Sequence, residues 1–170
     1  VRLYAENPAS NFLPTSGKIH KLKFPKIKGI RVESDLKSGD MINIYFDPML
    51  AKIVAYDVSR VKAINKLKYA LSQIVLLGPF TNIELLQNIL SSDSFARGDY
   101  DTNFIFENKK ITEFEKDRST VESVSIAASL YRWSKRNLNR EILKHLPSGW
   151  RNNFYSLQTE KFYLNGNHII

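Results

Sequence analysis

The chain has 170 residues, 43% of them hydrophobic and 25% charged, which is typical of one globular domain or a small domain with part of another. It has no cysteine, which excludes a disulfide framework and a thiolate metal site, and its histidines (His20, His145 and His168) are too far apart to predict a zinc site. No run of about 18 apolar residues occurs, so we expect no membrane span.

The net charge of +8 raises the question of nucleic-acid binding. Basic residues concentrate at 18–28 and 132–144, where apolar residues are interspersed among them. Neither segment carries a Gly-rich RNA-binding signature or a zinc-finger spacing. We therefore predict solvated surfaces and no nucleic-acid partner, while a basic face remains compatible with an anionic nucleotide, a CoA phosphate or a partner subunit.

The first part of the chain is predicted to be rich in β-structure. Residues 1–25 are loop-rich because they contain prolines and a glycine. Strand-like segments follow at 29–33, 41–46 and 52–56, the first two with clear alternation. The turn residues at 38–40 predict a hairpin or a short excursion between them. Pro48 ends the second strand because it lacks a ladder donor.

Two helices are predicted next. Ser59 is a suitable N-cap for the first, whose apolar residues keep helical spacing as far as Val75, and Gly78 with Pro79 ends it. The second begins with Thr81 and Glu84 in a capping-box pattern. Residues 102–106 then predict a short buried strand.

The character of the sequence changes after residue 107. Residues 108–118 are charged and poor in large apolar side chains, which indicates a boundary. A helix is predicted from Ser119 to about Lys135, and a short one at 140–146. Residues 150–164 then predict two aromatic-rich strands, and Asn165-Gly166-Asn167 is typical of a hairpin turn.

Few residues suggest chemistry on their own. Asp47 lies at a strand end, where catalytic carboxylates often lie, although a turn cap before Pro48 is the simpler interpretation. Arg2 and Arg31 carry planar donor forks suited to carboxylates and phosphates, yet most such arginines form surface ion pairs. The sequence has no Gly-rich phosphate loop and no nucleophile elbow.

Several distinctive blocks of sequence lie between Arg2 and about Glu107. They are Arg2-Leu3-Tyr4-Ala5-Glu6-Asn7-Pro8 with the following Phe12-Leu13-Pro14 and Gly17-Lys18-Ile19, then Tyr45-Phe46-Asp47-Pro48-Met49-Leu50-Ala51-Lys52, Arg60 with Ala63-Ile64, Gly78 with Thr81-Asn82, and Phe95-Ala96-Arg97-Gly98 with Thr102-Asn103-Phe104-Ile105. In both order and spacing these blocks resemble the closing part of biotin carboxylases. The chain is therefore similar to the C-terminal module of a biotin-dependent acyl-CoA carboxylase α subunit, of the propionyl-, methylcrotonyl- or acetyl-CoA type.

The resemblance implies roles for particular residues. Such enzymes use ATP to activate bicarbonate and then carboxylate biotin on a carrier domain. Arg2 matches a catalytic arginine that contacts bicarbonate and biotin, and Asp47 matches a catalytic-site aspartate that orients its neighbours. Phe104 matches an apolar residue against the adenine of ATP. Arg31 matches an arginine that pairs across a homodimer, although Lys28 stands where the family has an aromatic residue.

The sequence thus predicts an α+β chain in three parts. Residues 1–107 form a β-rich biotin carboxylase C-terminal domain with packed helices, 108–118 a linker, and 119–170 a helix with the start of an antiparallel, transferase-binding barrel. The chain begins without an initiator Met, so we expect a piece of a longer enzyme that lacks the ATP-grasp core and the carrier and is inactive alone.

The resemblance also implies cofactors and partners. The full-length enzyme is expected to use biotin, ATP and Mg²⁺ or Mn²⁺, with none bound by this piece and no metal ligands in it. Its expected partners are a carboxyltransferase β subunit, the biotin carrier domain and a second copy in a homodimer. The compartment would be the bacterial cytoplasm or, in a eukaryote, the mitochondrial matrix. The alternative is a non-catalytic subunit-interaction module.

Overall fold

The strands of the N-terminal part form one three-stranded antiparallel sheet and several two-stranded ribbons. The computed structural model describes residues 1–112, 118–142, 144–146, 159–164 and 167–169. The chain divides into two compact units, Val1–Phe114 and Glu115–Ile170. The strands of the first unit are β1 Arg2–Tyr4, β2 Glu6–Asn7, β3 Leu13–Pro14, β4 Gly17–Lys18, β5 Lys21–Lys23, β6 Ile30–Glu33, β7 Met41–Ile42, β8 Met49–Ala55 and β9 Val75–Leu77.

The central sheet has the order β1-β8-β6, and its alternation separates a buried face from an open one. Leu3, Ala51 and Ile53 point into the core and are 0–2% exposed. The strands predicted at 29–33 and 52–56 are confirmed as β6 and β8. The strand predicted at 41–46 is wrong beyond Ile42, because the Asn43 carboxamide oxygen accepts a hydrogen bond from the Tyr45 amide and turns the chain.

Helices α1 Arg60–Ser72, α2 Ile83–Ser91, α3 Asp93–Arg97 and α4 Phe104–Glu107 complete the first unit. Ser59 caps α1 as predicted, with its hydroxyl oxygen 3.3 Å from the Lys62 amide nitrogen. The helix ends at Ser72, however, and β9 pairs with β5. Gly78 allows a close approach of two backbones, since a Cβ there would lie 2.6 Å from the Lys18 carbonyl oxygen.

Two further local expectations fail. The capping box of Thr81 and Glu84 is wrong, because Asn82 occupies the N-cap position of α2 and its side chain bonds elsewhere. The strand predicted at 102–106 is wrong because the chain turns into α4 there, after the Asp101 carboxylate accepts a 2.7 Å hydrogen bond from the Asn103 amide. Phe104 is 7% exposed, so the expectation of burial holds.

The first unit extends past residue 107. A 3₁₀ turn at Lys109–Ile111 follows α4, and Ile111 is 7% exposed in a cluster with Leu85 and Phe104. The boundary between the units nevertheless falls inside the segment predicted as a linker.

The second unit contains helix α5 Arg118–Leu138 and the paired strands β10 Phe162–Leu164 and β11 Asn167–Ile169. The predicted long helix is confirmed. The described residues of 140–146 form turns and bends in place of the predicted short helix, and the Arg140 guanidinium donates to the Leu146 carbonyl. The hairpin pairing is present, with Leu164 opposite Asn167, but Asn167 is the first residue of β11 and not the turn residue that the sequence predicts. The expectations for 147–158 and for the turn residues 165–166 lie outside the described residues.

Candidate functional site

A row of charged residues crosses the open face of the central sheet. Arg2 lies opposite Lys52 in the pairing of β1 with β8, and Lys52 lies opposite Glu33 in the pairing of β8 with β6. The Lys52 Nζ is 2.5 Å from Glu33 Oε2, and the Arg31 Nε is 3.1 Å from Glu33 Oε1. Both oxygens of Glu33 are therefore engaged by cations other than Arg2.

The guanidinium of Arg2 is exposed, and no ion pair to it occurs within the described parts of the chain. It lines an open cleft of about 820 Å³ that also contains Tyr4, Asp47 and Lys52. A cation whose planar donor fork is not already used is suited to bind a carboxylate, bicarbonate or phosphate.

The pKa of Glu33 lies below its ordinary value, chiefly because of the hydrogen bond from Lys52 and further because of the charges of Lys52 and Arg31. Glu33 is therefore ionised at neutral pH. Partial burial and the nearby charge of Asp47 raise the pKa of Glu6. The cleft thus carries several charges of both signs, in which Lys52 is neutralised and Arg2 is not.

Asp47 lines the same cleft as Arg2. Its Oδ1 accepts a 2.8 Å hydrogen bond from the Met49 amide, so it also caps the turn that leads into β8. One carboxylate oxygen is thus committed to the backbone. The arrangement suits a fixed carboxylate that orients neighbouring groups more than one that moves to transfer a proton.

The strand that carries Arg2 is held on its outer edge by Asn82. The Asn82 Oδ1 accepts a 2.9 Å hydrogen bond from the Tyr4 amide, and its Nδ2 donates to the Arg2 carbonyl at 3.3 Å. Asn82 is 6% exposed and is the buried polar residue of the described core. Sequence reasoning missed this contact; the available signal was the Thr81-Asn82 pair among the blocks of family resemblance.

Phe104 lies away from this cleft. It lines a separate, largely polar cleft of about 460 Å³ together with Asp99, Tyr100 and Asp101. Its ring is 5.9 Å from that of Tyr100, in a tilted arrangement. With 7% exposure, Phe104 presents only a narrow apolar edge to a ligand in that cleft.

Arg31 stands on the exposed outer strand β6, with 69% of its side chain accessible alongside its ion pair with Glu33. Within the residues that the structure describes, no group of three histidine, aspartate or glutamate side chains is placed to hold a metal ion. Over the same residues, no helix is both long and apolar enough to cross a bilayer.

These features coincide with a known family. The sequence model of the biotin carboxylase C-terminal domain matches residues 1–107, which carry the central sheet, Arg2, Asp47 and Phe104. The chain belongs to this family of biotin-dependent carboxylase domains.

Two curated relatives are α subunits of acyl-CoA carboxylases. The chain is 36% identical over 130 residues to the mitochondrial methylcrotonoyl-CoA carboxylase subunit α of Dictyostelium discoideum, with 76% of this chain and 19% of that protein covered. It is 34% identical over 139 residues to the mitochondrial propionyl-CoA carboxylase α chain of Sus scrofa, with 76% and 18% covered. It therefore spans about a fifth of the length of these relatives.

The fold agrees with a solved structure. The biotin carboxylase domain dimer of Hydrogenobacter thermophilus 2-oxoglutarate carboxylase, in complex with MgADP, ADP and bicarbonate, matches with a TM-score of 0.66 and 30% identity. The match covers 68% of this chain and 25% of that one. The expected α+β class and family are thereby confirmed.

Proposed function

We propose that this chain forms the closing part of the biotin carboxylase component of an acyl-CoA carboxylase, which uses ATP and bicarbonate to carboxylate biotin on a carrier domain. The observation that carries the proposal is the exposed guanidinium of Arg2, which forms no ion pair with any residue that the structure describes and lines an open cleft beside a lysine that is neutralised by Glu33. The family membership of residues 1–107 supports the same reaction.

Arg2 is the proposed catalytic residue. A guanidinium stays charged at every physiological pH and presents parallel donors that fit the oxygens of bicarbonate. The same donors would stabilise the negative charge that develops on the ureido oxygen of biotin when a base removes the proton of its ureido nitrogen, before that nitrogen attacks the carboxyl carbon. The carboxylate of Asp47, held by the hydrogen bond from the Met49 amide, would orient neighbouring polar groups in the cleft.

The remaining roles concern the ATP and dimer contacts. Phe104 would place its apolar edge against the adenine of ATP in the cleft that it shares with Tyr100. Arg31 would reach a second copy across the homodimer from the exposed outer strand. ATP, with Mg²⁺ or Mn²⁺, would supply the phosphoryl group that activates bicarbonate, and the ligands of the metal would come from outside the described residues.

The proposed partners are the biotin carrier domain, a carboxyltransferase β subunit and a second carboxylase module. Relatives with mitochondrial names support the mitochondrial matrix if the source is a eukaryote, and the cytoplasm is proposed for a bacterial source.

The test is bicarbonate-dependent ATP cleavage by the full-length carboxylase that contains this chain. Arg2→Ala is expected to lower kcat about 100-fold or more, by analogy with the loss of one oxyanion donor. Arg97→Ala, which removes an exposed arginine at the end of α3, serves as the matched control and should leave turnover unchanged. Unchanged turnover in Arg2→Ala would overturn the catalytic assignment.

The alternative function is that of a non-catalytic subunit-interaction module. Its support is the apolar surface of α5, where Ile126, Leu130, Tyr131 and Leu138 are 61–81% exposed. Under this alternative, Arg2→Ala would have no effect on ATP cleavage, whereas Leu130→Asp would weaken co-purification with the carboxyltransferase subunit.

A further inference from the structure

Asn82 completes the hydrogen bonding of the strand that carries Arg2. Val1, Leu3 and Ala5 bond through their backbones to the β8 side: the Val1 nitrogen lies 2.8 Å from the Ile53 carbonyl oxygen, and the Ala5 nitrogen lies 2.8 Å from the Pro48 carbonyl oxygen. The backbone groups of Arg2 and Tyr4 therefore face the other edge, where no strand of the described residues pairs with β1.

Asn82 supplies the missing partner on that edge. Its carboxamide accepts from the Tyr4 amide and donates to the Arg2 carbonyl, which is the pattern that a peptide group of a neighbouring strand would offer. Its own backbone amide also donates to the Tyr4 carbonyl at 3.2 Å. One residue thus makes three hydrogen bonds to the two residues on either side of Leu3.

Because the side chain of Asn82 bonds to β1, helix α2 has no side-chain cap at its N-terminus. Asparagine at an N-cap position ordinarily accepts a hydrogen bond from the first turn, but α2 receives none from Asn82. Departures from a local rule concentrate where a residue serves a site. Here the carboxamide is turned toward the backbone of Arg2 and not toward the helix that it precedes.

We propose that Asn82 is a positioning residue for Arg2: it fixes the backbone on both sides of Leu3 and so sets the direction in which the guanidinium enters the cleft. The inference rests on the proposed catalytic role of Arg2. The bonds to β8 fix the inner edge of the three-residue strand β1, and Asn82 fixes the outer edge, which carries the Arg2 carbonyl and the Tyr4 amide. A misplacement of a catalytic group by about 1 Å is enough to lower the rate on the order of 100-fold.

The test uses the full-length carboxylase and the near-isosteric change Asn82→Asp, which keeps the acceptor for Tyr4 but removes the donor to Arg2. We expect kcat/KM for bicarbonate to fall on the order of tenfold or more, with the KM for ATP unchanged. The matched control is Asn88→Asp on the same helix α2, because Asn88 likewise donates from its carboxamide to a backbone carbonyl, that of Ile111 at 3.0 Å. This control removes a comparable hydrogen bond away from Arg2 and should leave both constants unchanged.

A double-mutant cycle with Arg2→Lys separates positioning from a purely structural role. If Asn82 acts through the guanidinium, Asn82→Asp should have much less effect in the Arg2→Lys background than in the wild type. Asn82→Ser, which retains a hydroxyl donor and acceptor, enters the same cycle if Asn82→Asp does not fold.

The outcomes distinguish the two proposals. Equal effects of the Asn82 change in both backgrounds, or a loss no greater than that of Asn88→Asp, would overturn the positioning role alone. Full activity of Arg2→Lys and Arg2→Ala would instead overturn the proposed function on which it rests.

Discussion

Arg2 and Lys52 are direct neighbours across strands β1 and β8, yet only Lys52 is neutralised, by Glu33 at 2.5 Å. Like charges directly opposite each other in an antiparallel pair are destabilising. The ion pair of Lys52 with Glu33 reduces this repulsion while the guanidinium of Arg2 keeps its charge available to the cleft. The sheet thus presents the guanidinium of Arg2 to the cleft with less repulsion than two unpaired, adjacent positive charges would produce.

Glu33→Gln is expected to lower the stability of the chain in a pH-dependent way. The pKa of Glu33 is lowered in the folded state, so its contribution is present above the ordinary value of 4.5 and is lost as the pH falls through the lower folded value. The difference in Tm between wild type and Glu33→Gln should therefore be small and constant near neutrality, since the groups are exposed, and should vanish at strongly acidic pH. A difference that persists unchanged at pH values well below 4.5 would contradict this assignment.

Gly78→Ala is expected to destabilise the first unit by about 3 kcal/mol, the upper range for overpacking, because the new Cβ meets backbone atoms that cannot rotate away. The nearest of them is the Lys18 carbonyl oxygen at 2.6 Å. Gly98→Ala is the comparison: its site has open space but a φ of +84°, so it should cost only about 1 kcal/mol. Urea unfolding of both variants measures the difference, and equal losses would exclude a clash at Gly78.

Arg60→Lys is expected to loosen the attachment of α3 to α1. The Arg60 guanidinium donates to the Phe95 carbonyl at 2.7 Å and lies 5.1 Å from the centre of the Phe95 ring. A lysine ammonium cannot reproduce both contacts, so we expect a loss of about 1 to 2 kcal/mol in urea unfolding. Arg97→Lys, an exposed arginine on α3, should change stability by less than about 0.5 kcal/mol. A similar loss in both variants would argue against a specific role for Arg60.

Phe104 allows stability and nucleotide binding to be tested separately. Phe104→Ala should cost about 3 to 5 kcal/mol because the ring is buried against Leu85 and Ile111. Phe104→Leu retains most of the volume, so the full-length enzyme should fold while its KM for ATP rises through loss of the flat ring. Phe106→Leu, a matched change on the same helix at a side chain that is 73% exposed, should alter neither property. An unchanged KM for ATP in Phe104→Leu would remove the adenine contact from the proposal.

Much of the fold follows from patterns local in sequence. Alternation predicts β6, an apolar run predicts most of β8, and Ser59 correctly predicts the start of α1. The end of α1 could not be predicted, because Val75 continues the helical spacing and only its pairing with Lys23, far away in sequence, makes it part of a strand. The strand prediction for residues 102–106 is wrong for a related reason, because a short apolar run is equally compatible with a buried strand and a buried helical turn.

In the candidate site, too, residues with a local sequence signature could be predicted, whereas a residue held by distant contacts could not. The family resemblance implies that Arg2 and Asp47 belong to one site, through motifs that each lie within a few residues, and both residues line one cleft. Asn82 was read as part of a helix start, since its neighbours Thr81 and Glu84 form a capping pattern. Its actual partners lie 78 and 80 residues away, and a contact of that range has no local signature.

The burial of Ile111 has a practical consequence for where the first unit can be cut. A truncated chain that stops at residue 107, where the family match ends, would expose Leu85 and Phe104 and leave the Asn88 carboxamide without its acceptor at Ile111. A chain that ends after Thr112 keeps Ile111, which covers Leu85 and Phe104. We therefore expect the version that ends after Thr112 to resist proteolysis and to show slow amide hydrogen exchange around Phe104. The version that ends at residue 107 should be cleaved faster and exchange faster in this region, which carries the proposed adenine contact.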